Sequence, residues 1–260
     1  MTPAASARSR RAAGAGLPHD TRRPDVETAA DGYATRFAGE VGSWFLGIQS
    51  AAVLSLLREA AGDAPLRVLD VGGGHGQLLE PLRAAGHRVT VHGSDPSCHL
   101  RSRLPPELAS ARVVSDLWRL PFRAAAYELV LGIRLLAHVE AWRELLDEMG
   151  RVTSRLLLVD FPPAGGWTRL APALFGLKHR VEGKTRPFFS YVPAEVADAL
   201  RESGFQVRSV RREFSLPMAL HRRLRSPVVS HSLEAALGRA GVTRRFGAPA
   251  LLLAERVRAA

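Results

Sequence analysis

The stretch RVLDVGGGHGQLL, Arg67 to Leu79, constrains this chain more than any other. Val68, Leu69 and Val71 make a short apolar run holding one carboxylate, Asp70, and Gly72, Gly73, Gly74 and Gly76 follow at once. An apolar run bounded in this way predicts a strand buried on both faces, as in a parallel sheet. The glycines let the backbone turn sharply and approach a ligand without Cβ atoms in the way. From Gln77 the pattern becomes helical, with Leu78, Leu79 and Leu82 on one side. Strand, turn and helix start together make a nucleotide-sized cradle with N–H groups pointing into it. A tight structural turn is the plainer reading of the same glycines.

A dinucleotide fingerprint would need glycine or alanine at position 77, where Gln77 stands. The spacing is instead Asp70-x-Gly72-x-Gly74-x-Gly76, and further acid-tipped strands follow it. Helix Leu79–Ala85 is closed by Gly86, and Val89–Gly93 is a second strand ending in Asp95-Pro96. Asp95 suits a carboxylate at a strand tip that accepts hydrogen bonds from ribose hydroxyls, with a turn-forming Asp-Pro as the alternative. Ala111–Val114 is a short third strand, leading into SDLWRLPF. A fourth strand, Leu129–Gly132, exits through Arg134 and His138. Helix Ala141–Thr153 precedes a fifth strand, Arg155–Pro163, with Asp160 at its tip.

These motifs resemble, in order, those of class I S-adenosylmethionine (SAM)-dependent methyltransferases, in particular type 11, ubiquinone/menaquinone-biosynthesis-like small-molecule enzymes. The resemblance covers about residues 65–162. It implies an α/β, Rossmann-like doubly wound seven-stranded sheet, mostly parallel with an antiparallel last strand and helices on both faces. By resemblance, Asp70, Gly72, Gly73, Gly74, Gly76 and Gly132 surround the methionine end of SAM and Asp95-Pro96 the ribose. Asp116 and the backbone of Leu117 would take the adenine. The implied reaction is O- or C-methylation of a small molecule, aromatic or lipid-like with an acidic group. A hydroxyl acceptor needs a base, for which His138, His179 and Asp160 are the candidates; a helix-opening histidine is the plainer identity of His138. Tyr33, Phe37, Arg134 and Tyr191 are candidate substrate contacts. Arg134 suits an acidic group held bidentately, or equally a surface carboxylate. The usual Lys-Pro-Gly-Gly turn before the fifth strand is shortened here to Thr153-Ser154.

Around this core the organisation is simpler. Residues 1–30, rich in Ala, Arg, Gly and Pro, read as a disordered tail. Within 31–64, Tyr33, Phe37, Val41, Trp44, Phe45 and Ile48 recur at helical spacing, as lid helices or as packing against the sheet. By resemblance, residues 163–192, apolar with a basic rim, are a substrate-cap insertion; a helix pair covering the sheet, with its bases reaching into water, is the alternative. Residues 193–260 complete the sheet: a helix over Val192–Phe205, strands Phe205–Phe214 and Gly247–Val257, and helical pieces Leu216–Ser226 and Ser232–Val242 without a functional account. The net charge is +11, of which residues 161–260 carry +10. Nucleic-acid binding is disfavoured, because 34 of the 36 basic residues are arginine and aromatics are not interleaved with them. The charge nevertheless keeps an RNA or protein methyltransferase as the competing reading, with a non-catalytic SAM-binding module as a third. One cysteine, Cys98, excludes an internal disulfide or a cysteine zinc cluster, and no metal is expected. A cytoplasmic location and no transmembrane helix are expected. The oligomeric state is open.

Overall fold

The computed structural model describes residues 37–74, 76–94, 111–165 and 189–257. The expected roles of Tyr33, Asp95, Pro96 and His179, and most of the cap insertion, lie outside the described residues.

In chain order the elements are α1 (Gly39–Ala61), β1 (Arg67–Val71), α2 (Leu79–Ala84), β2 (Arg88–Gly93), β3 (Arg112–Val114) and β4 (Tyr127–Gly132). Then come α3 (Trp142–Val152), β5 (Thr153–Phe161), α4 (Pro193–Glu202) and β6 (Phe205–Phe214). The chain closes with α5 (Met218–Leu224), α6 (Pro227–Arg239), α7 (Val242–Phe246) and β7 (Ala248–Arg256). The strands form one seven-stranded sheet in the order β3-β2-β1-β4-β5-β7-β6. β7 runs antiparallel to both neighbours and every other pair is parallel. Strand order reverses between β1 and β4, and a crevice outside the carboxyl ends of such strands is where open α/β sheets take ligands.

The core divides by strand parity. In β5, Leu156 and Leu158 face a layer with Val53, Leu56 and Leu57 of α1 and Leu79 and Leu82 of α2. Leu157, Val159 and Phe161 face the other way, onto Leu145, Leu146 and Met149 of α3 and Val196 and Leu200 of α4. Side chains alternate across a strand, so a continuous apolar run fills both layers at once.

Several boundaries differ from those the sequence predicts. α3 runs straight into β5 with no connecting turn, and Thr153 belongs to the strand. Its hydroxyl donates to the Met149 carbonyl (2.7 Å), closing the helix without the expected turn. The second helical piece of the C-terminal part begins at Pro227, upstream of the expected Ser232. Ser226 caps it by accepting from the Val229 N–H (3.3 Å), and proline occupies the first turn. Gly241 then takes a left-handed conformation (φ 76°) and separates α6 from α7. The early aromatic stripe packs against the end of β6 and α5: Val41 and Phe45 cluster with Phe214, and Trp44, Ile48 and Met218 pack around them. By length and composition α1 could cross a membrane, although the sequence reading expects no span; Val53, Leu56 and Leu57 are buried in the core.

Candidate functional site

The recess lies at the carboxyl ends of β1 and β4, at the strand-order reversal. Asp70, Gly72, Gly73, Gly74, Gln77, Leu78, Ile133 and Arg134 line it. The turn after β1 is built as the glycines suggest. Gly72, Gly74 and Gly76 take positive φ (65°, 53° and 68°), which other residues reach only with strain. Gly73 donates its N–H to the His92 carbonyl (3.1 Å), and its own carbonyl accepts from Gly76 (2.8 Å). A Cβ on Gly73 would stand 2.6 Å from the Asp70 Oδ2 and 2.7 Å from the Val91 Cγ1. That glycine is the roof over the carboxylate.

Asp70 is buried, and loss of water raises its pKa to about 7, with Arg134 acting in the opposite sense. Arg134 is held in a left-handed conformation (φ 60°), uncommon outside glycine. Its backbone N–H donates to Asp160 Oδ1 (2.5 Å), its guanidinium donates to the Gln77 side-chain carbonyl, and its Cζ lies 4.4 Å from the centre of the Phe37 ring. Asp160 thus acts on Arg134 as a positioning group. Its pKa is raised to about 6 by burial, opposed by Arg134 and Gln49.

Behind Arg134 lies a polar network that the sequence patterns did not reveal. Gln49 of α1 donates to Asp160 (3.3 Å) and to Glu213 of β6 (3.4 Å), and accepts from Gln77 (3.1 Å). Glu213 is pushed up to about 8 by burial and then by the charge of Asp160. Three carboxylates therefore share the surroundings of one guanidinium, and α1, the glycine loop, β5 and β6 are tied together through amide side chains. The one local hint is Gln77, standing where a dinucleotide loop would carry a small residue.

The remaining candidates divide as follows. Gly132 ends β4 next to the lining residue Ile133, and a Cβ there would meet Met149 Cε at 3.0 Å. Its small size serves packing beneath the recess. Asp116 is exposed after β3 and caps its own turn by accepting from the Trp118 N–H (3.0 Å), while the Leu117 side chain is in the core. Glu148 and Arg151 of α3 clasp the following loop: Glu148 accepts from the Leu120 N–H (2.6 Å), and Arg151 donates to the carbonyls of Leu120 (3.0 Å) and Phe122 (2.9 Å). His138 ends a 3₁₀ turn, Leu136–His138, in the loop that leaves β4 and is not among the lining residues.

Tyr191 lies deeper in the fold. It is buried in the core, its pKa driven upward by burial, and its hydroxyl is shared between the carbonyls of Leu136 (3.0 Å) and Val139 (2.6 Å). It anchors the loop leaving β4, with its hydroxyl engaged there. Tyr191→Phe is expected to cost about 1–2 kcal/mol, seen as a thermal midpoint lowered by about 2–8 °C. An unchanged midpoint would mean the loop holds without that bond.

A family model described as a methyltransferase domain matches residues 46–210. The demethylmenaquinone methyltransferase of Deinococcus radiodurans is 31% identical over 132 residues, 47% of this chain and 52% of the relative. The chain thus spans about half the length of the curated relative it matches. Among solved structures, magnesium protoporphyrin IX methyltransferase from Synechocystis PCC 6803, with bound S-adenosylhomocysteine, superposes with a TM-score of 0.60 at 19% identity. That match covers 88% of this chain and 96% of the other. A 1,6-didemethyltoxoflavin-N1-methyltransferase from Burkholderia thailandensis, bound to its acceptor and S-adenosylhomocysteine, gives 0.57 at 17% identity over 95% and 93% of the two chains. At these identities the superpositions speak for the fold.

Proposed function

Since the chain belongs to the methyltransferase-domain family and has the class I fold, we propose that it transfers a methyl group from SAM to a small-molecule acceptor. The observation that carries this is the recess at the strand-order reversal, where a bare glycine turn roofs a buried carboxylate. It suits a cationic, nucleoside-bearing cofactor: the bare backbone of Gly73 packs directly on Asp70 and Val91, and Asp70 offers a carboxylate to an ammonium or sulfonium group. Gly72 and Gly74 would lie along the methionine end, Asp95-Pro96 at the ribose, and Asp116 with the Leu117 backbone at the adenine. SAM, when bound, supplies an electrophilic methyl group, and the protein's part is alignment and electrostatics.

For the acceptor, the reading is O- or C-methylation of an aromatic or lipid-like molecule with an acidic group. Arg134 supports it by bringing positive charge to the lining of the recess. Asp160, engaged by the Arg134 backbone and by Gln49, serves as a positioning residue. That leaves His138, or His179, to take a proton from a hydroxyl acceptor.

The test is incubation with methyl-labelled SAM and a metabolite extract, followed by mass spectrometry of whatever gains label. Label in a small molecule supports the reading. Label on RNA or protein would replace it with the macromolecular one, and SAM binding without transfer would leave a binding module. Asp95→Ala should abolish SAM binding in the same preparation; retained micromolar affinity would remove the ribose assignment.

A further inference from the structure

The segment between β6 and β7 plays no part in the site. It leaves the sheet at Phe214, which pairs with Ala248, next to the edge where Phe161 ends β5. It therefore sits on the carboxyl side of the sheet, the side that carries the recess. Its main element, α6, is 13 residues long, and Ser230 is its one buried residue. At 3.6 residues per turn, Val228, Val229, Ser232, Leu233, Ala235 and Ala236 share one face. All of them are exposed, Val228 at 75% and Val229 at 45%. Leu220 of α5 and Phe246 of α7 are also exposed. Surface helices of globular proteins normally present the reverse pattern.

Charge surrounds this face with a single sign. Arg222, Arg223 and Arg225 precede α6, and Arg239, Arg244 and Arg245 follow its outer face; all are exposed. The one carboxylate between Arg222 and Arg245, Glu234, is turned inward. It accepts from the N–H groups of Ser215 (2.8 Å) and Leu216 (2.9 Å) and pairs with His221 (3.0 Å). An apolar strip with arginines at both ends and no outward acid complements a surface that is greasy below and anionic above.

We propose that the α5–α7 insertion docks the protein on an anionic lipid bilayer, with α6 lying in the headgroup layer, its apolar face inward and the arginines among the phosphates. A second copy is a poor occupant, because antiparallel pairing of α6 would set the arginines of one end against those of the other. The chain's own segment 166–188, with five Lys and Arg against one Glu, fits no better. A nucleic acid would meet the arginines but leave Val228, Val229 and Leu233 in water, with only Phe246 for stacking. The inference is independent of methyl transfer.

The test is co-sedimentation of the full chain with vesicles of phosphatidylcholine alone, or with about one third phosphatidylglycerol. Binding is expected to the anionic vesicles, weakening as salt is raised. Val229→Glu with Leu233→Glu, and separately Arg222→Glu with Arg223→Glu, should each lower the partition coefficient by about tenfold or more. The thermal midpoint and its shift with SAM should stay unchanged in both. Failure to bind anionic vesicles at low salt, or undiminished binding by both double variants, overturns the proposal. So does a wild-type dimer that Val229→Glu with Leu233→Glu makes monomeric, or RNA binding that depends on Arg222 and Arg223 without vesicle binding.

Discussion

Gly73→Ala is expected to lower affinity for SAM by more than about a hundredfold, measured by calorimetry or by loss of the ligand's thermal shift. The backbone of Gly73 is not in the left-handed region, so alanine brings no dihedral strain there; the difficulty is space. The new methyl would lie 2.6 Å from the Asp70 Oδ2, 2.8 Å from its Cγ and 2.7 Å from the Val91 Cγ1. Two of these atoms belong to the carboxylate that the proposed site presents to its ligand. Relief requires either the turn to lift or the carboxylate to swing, and each deforms the cradle. Overpacking of this kind costs about 1–3 kcal/mol of stability as well. Gly47→Ala is the internal control. It lies within α1, exposed, with nothing within 4 Å of a Cβ, so alanine should leave SAM binding intact. Helix propensity should add up to about 1 kcal/mol of stability there. Unaltered SAM affinity in Gly73→Ala would show that Asp70 does not face the cofactor.

The second large effect is a dependence on pH that takes opposite directions for the free and the liganded protein. Asp70, Asp160 and Glu213 are raised by burial to about 7, about 6 and about 8. An unfolded carboxylate titrates near about 4. Between these values the native state holds protons that the unfolded state has released, so stability falls as pH rises. The contribution is fully present below about pH 4 and is lost progressively up to about pH 8. A carboxyl group that titrates one pH unit higher in the folded than in the unfolded chain contributes about 1.4 kcal/mol to this difference. The ligand-free protein should therefore lose several kcal/mol across that window, read as a falling midpoint in denaturant. SAM binding should run the other way. The ionised form of Asp70 attracts the positive methionine end, so affinity should rise roughly tenfold between about pH 6 and about pH 8. Asp70→Asn should remove the rise in affinity and the share of the stability loss that Asp70 contributes. A flat stability profile between about pH 5 and about pH 8 would mean that these carboxylates are better hydrated than their burial implies.

The buried network also bears on why α1 packs as it does. Gln49 reaches Asp160 and Glu213 from one end of its amide and Gln77 from the other. It bridges segments that lie far apart in the chain, and a neutral amide can satisfy carboxylates in either protonation state on one side while accepting on the other. The arrangement fixes Gln77, and through it the guanidinium of Arg134 on the rim of the recess.

What the amino-acid order alone determined was the frame. Short apolar runs ending in an acid or glycine located the parallel strands to within a few residues. The glycine spacing, with Gln77 in place of a small residue, pointed away from a dinucleotide loop. The last two strands were legible from alternation in Phe205–Phe214 and from the apolar run after Gly247, and the resemblance implied that the last one is reversed. These features are local: each follows from the period of a strand or helix, or from the φ that a turn requires. Tertiary structure decided which side chains meet. Tyr191 places its hydroxyl between two core carbonyls. Gly132 makes room for Met149, and Asp160 steadies a strained arginine. The outward apolar face of α6 became meaningful only when the fold showed that nothing among the described residues covers it. Periodicity tells a residue which face of its own element it occupies; the partner across that face is often far away along the chain, and only folding brings the two within bonding distance.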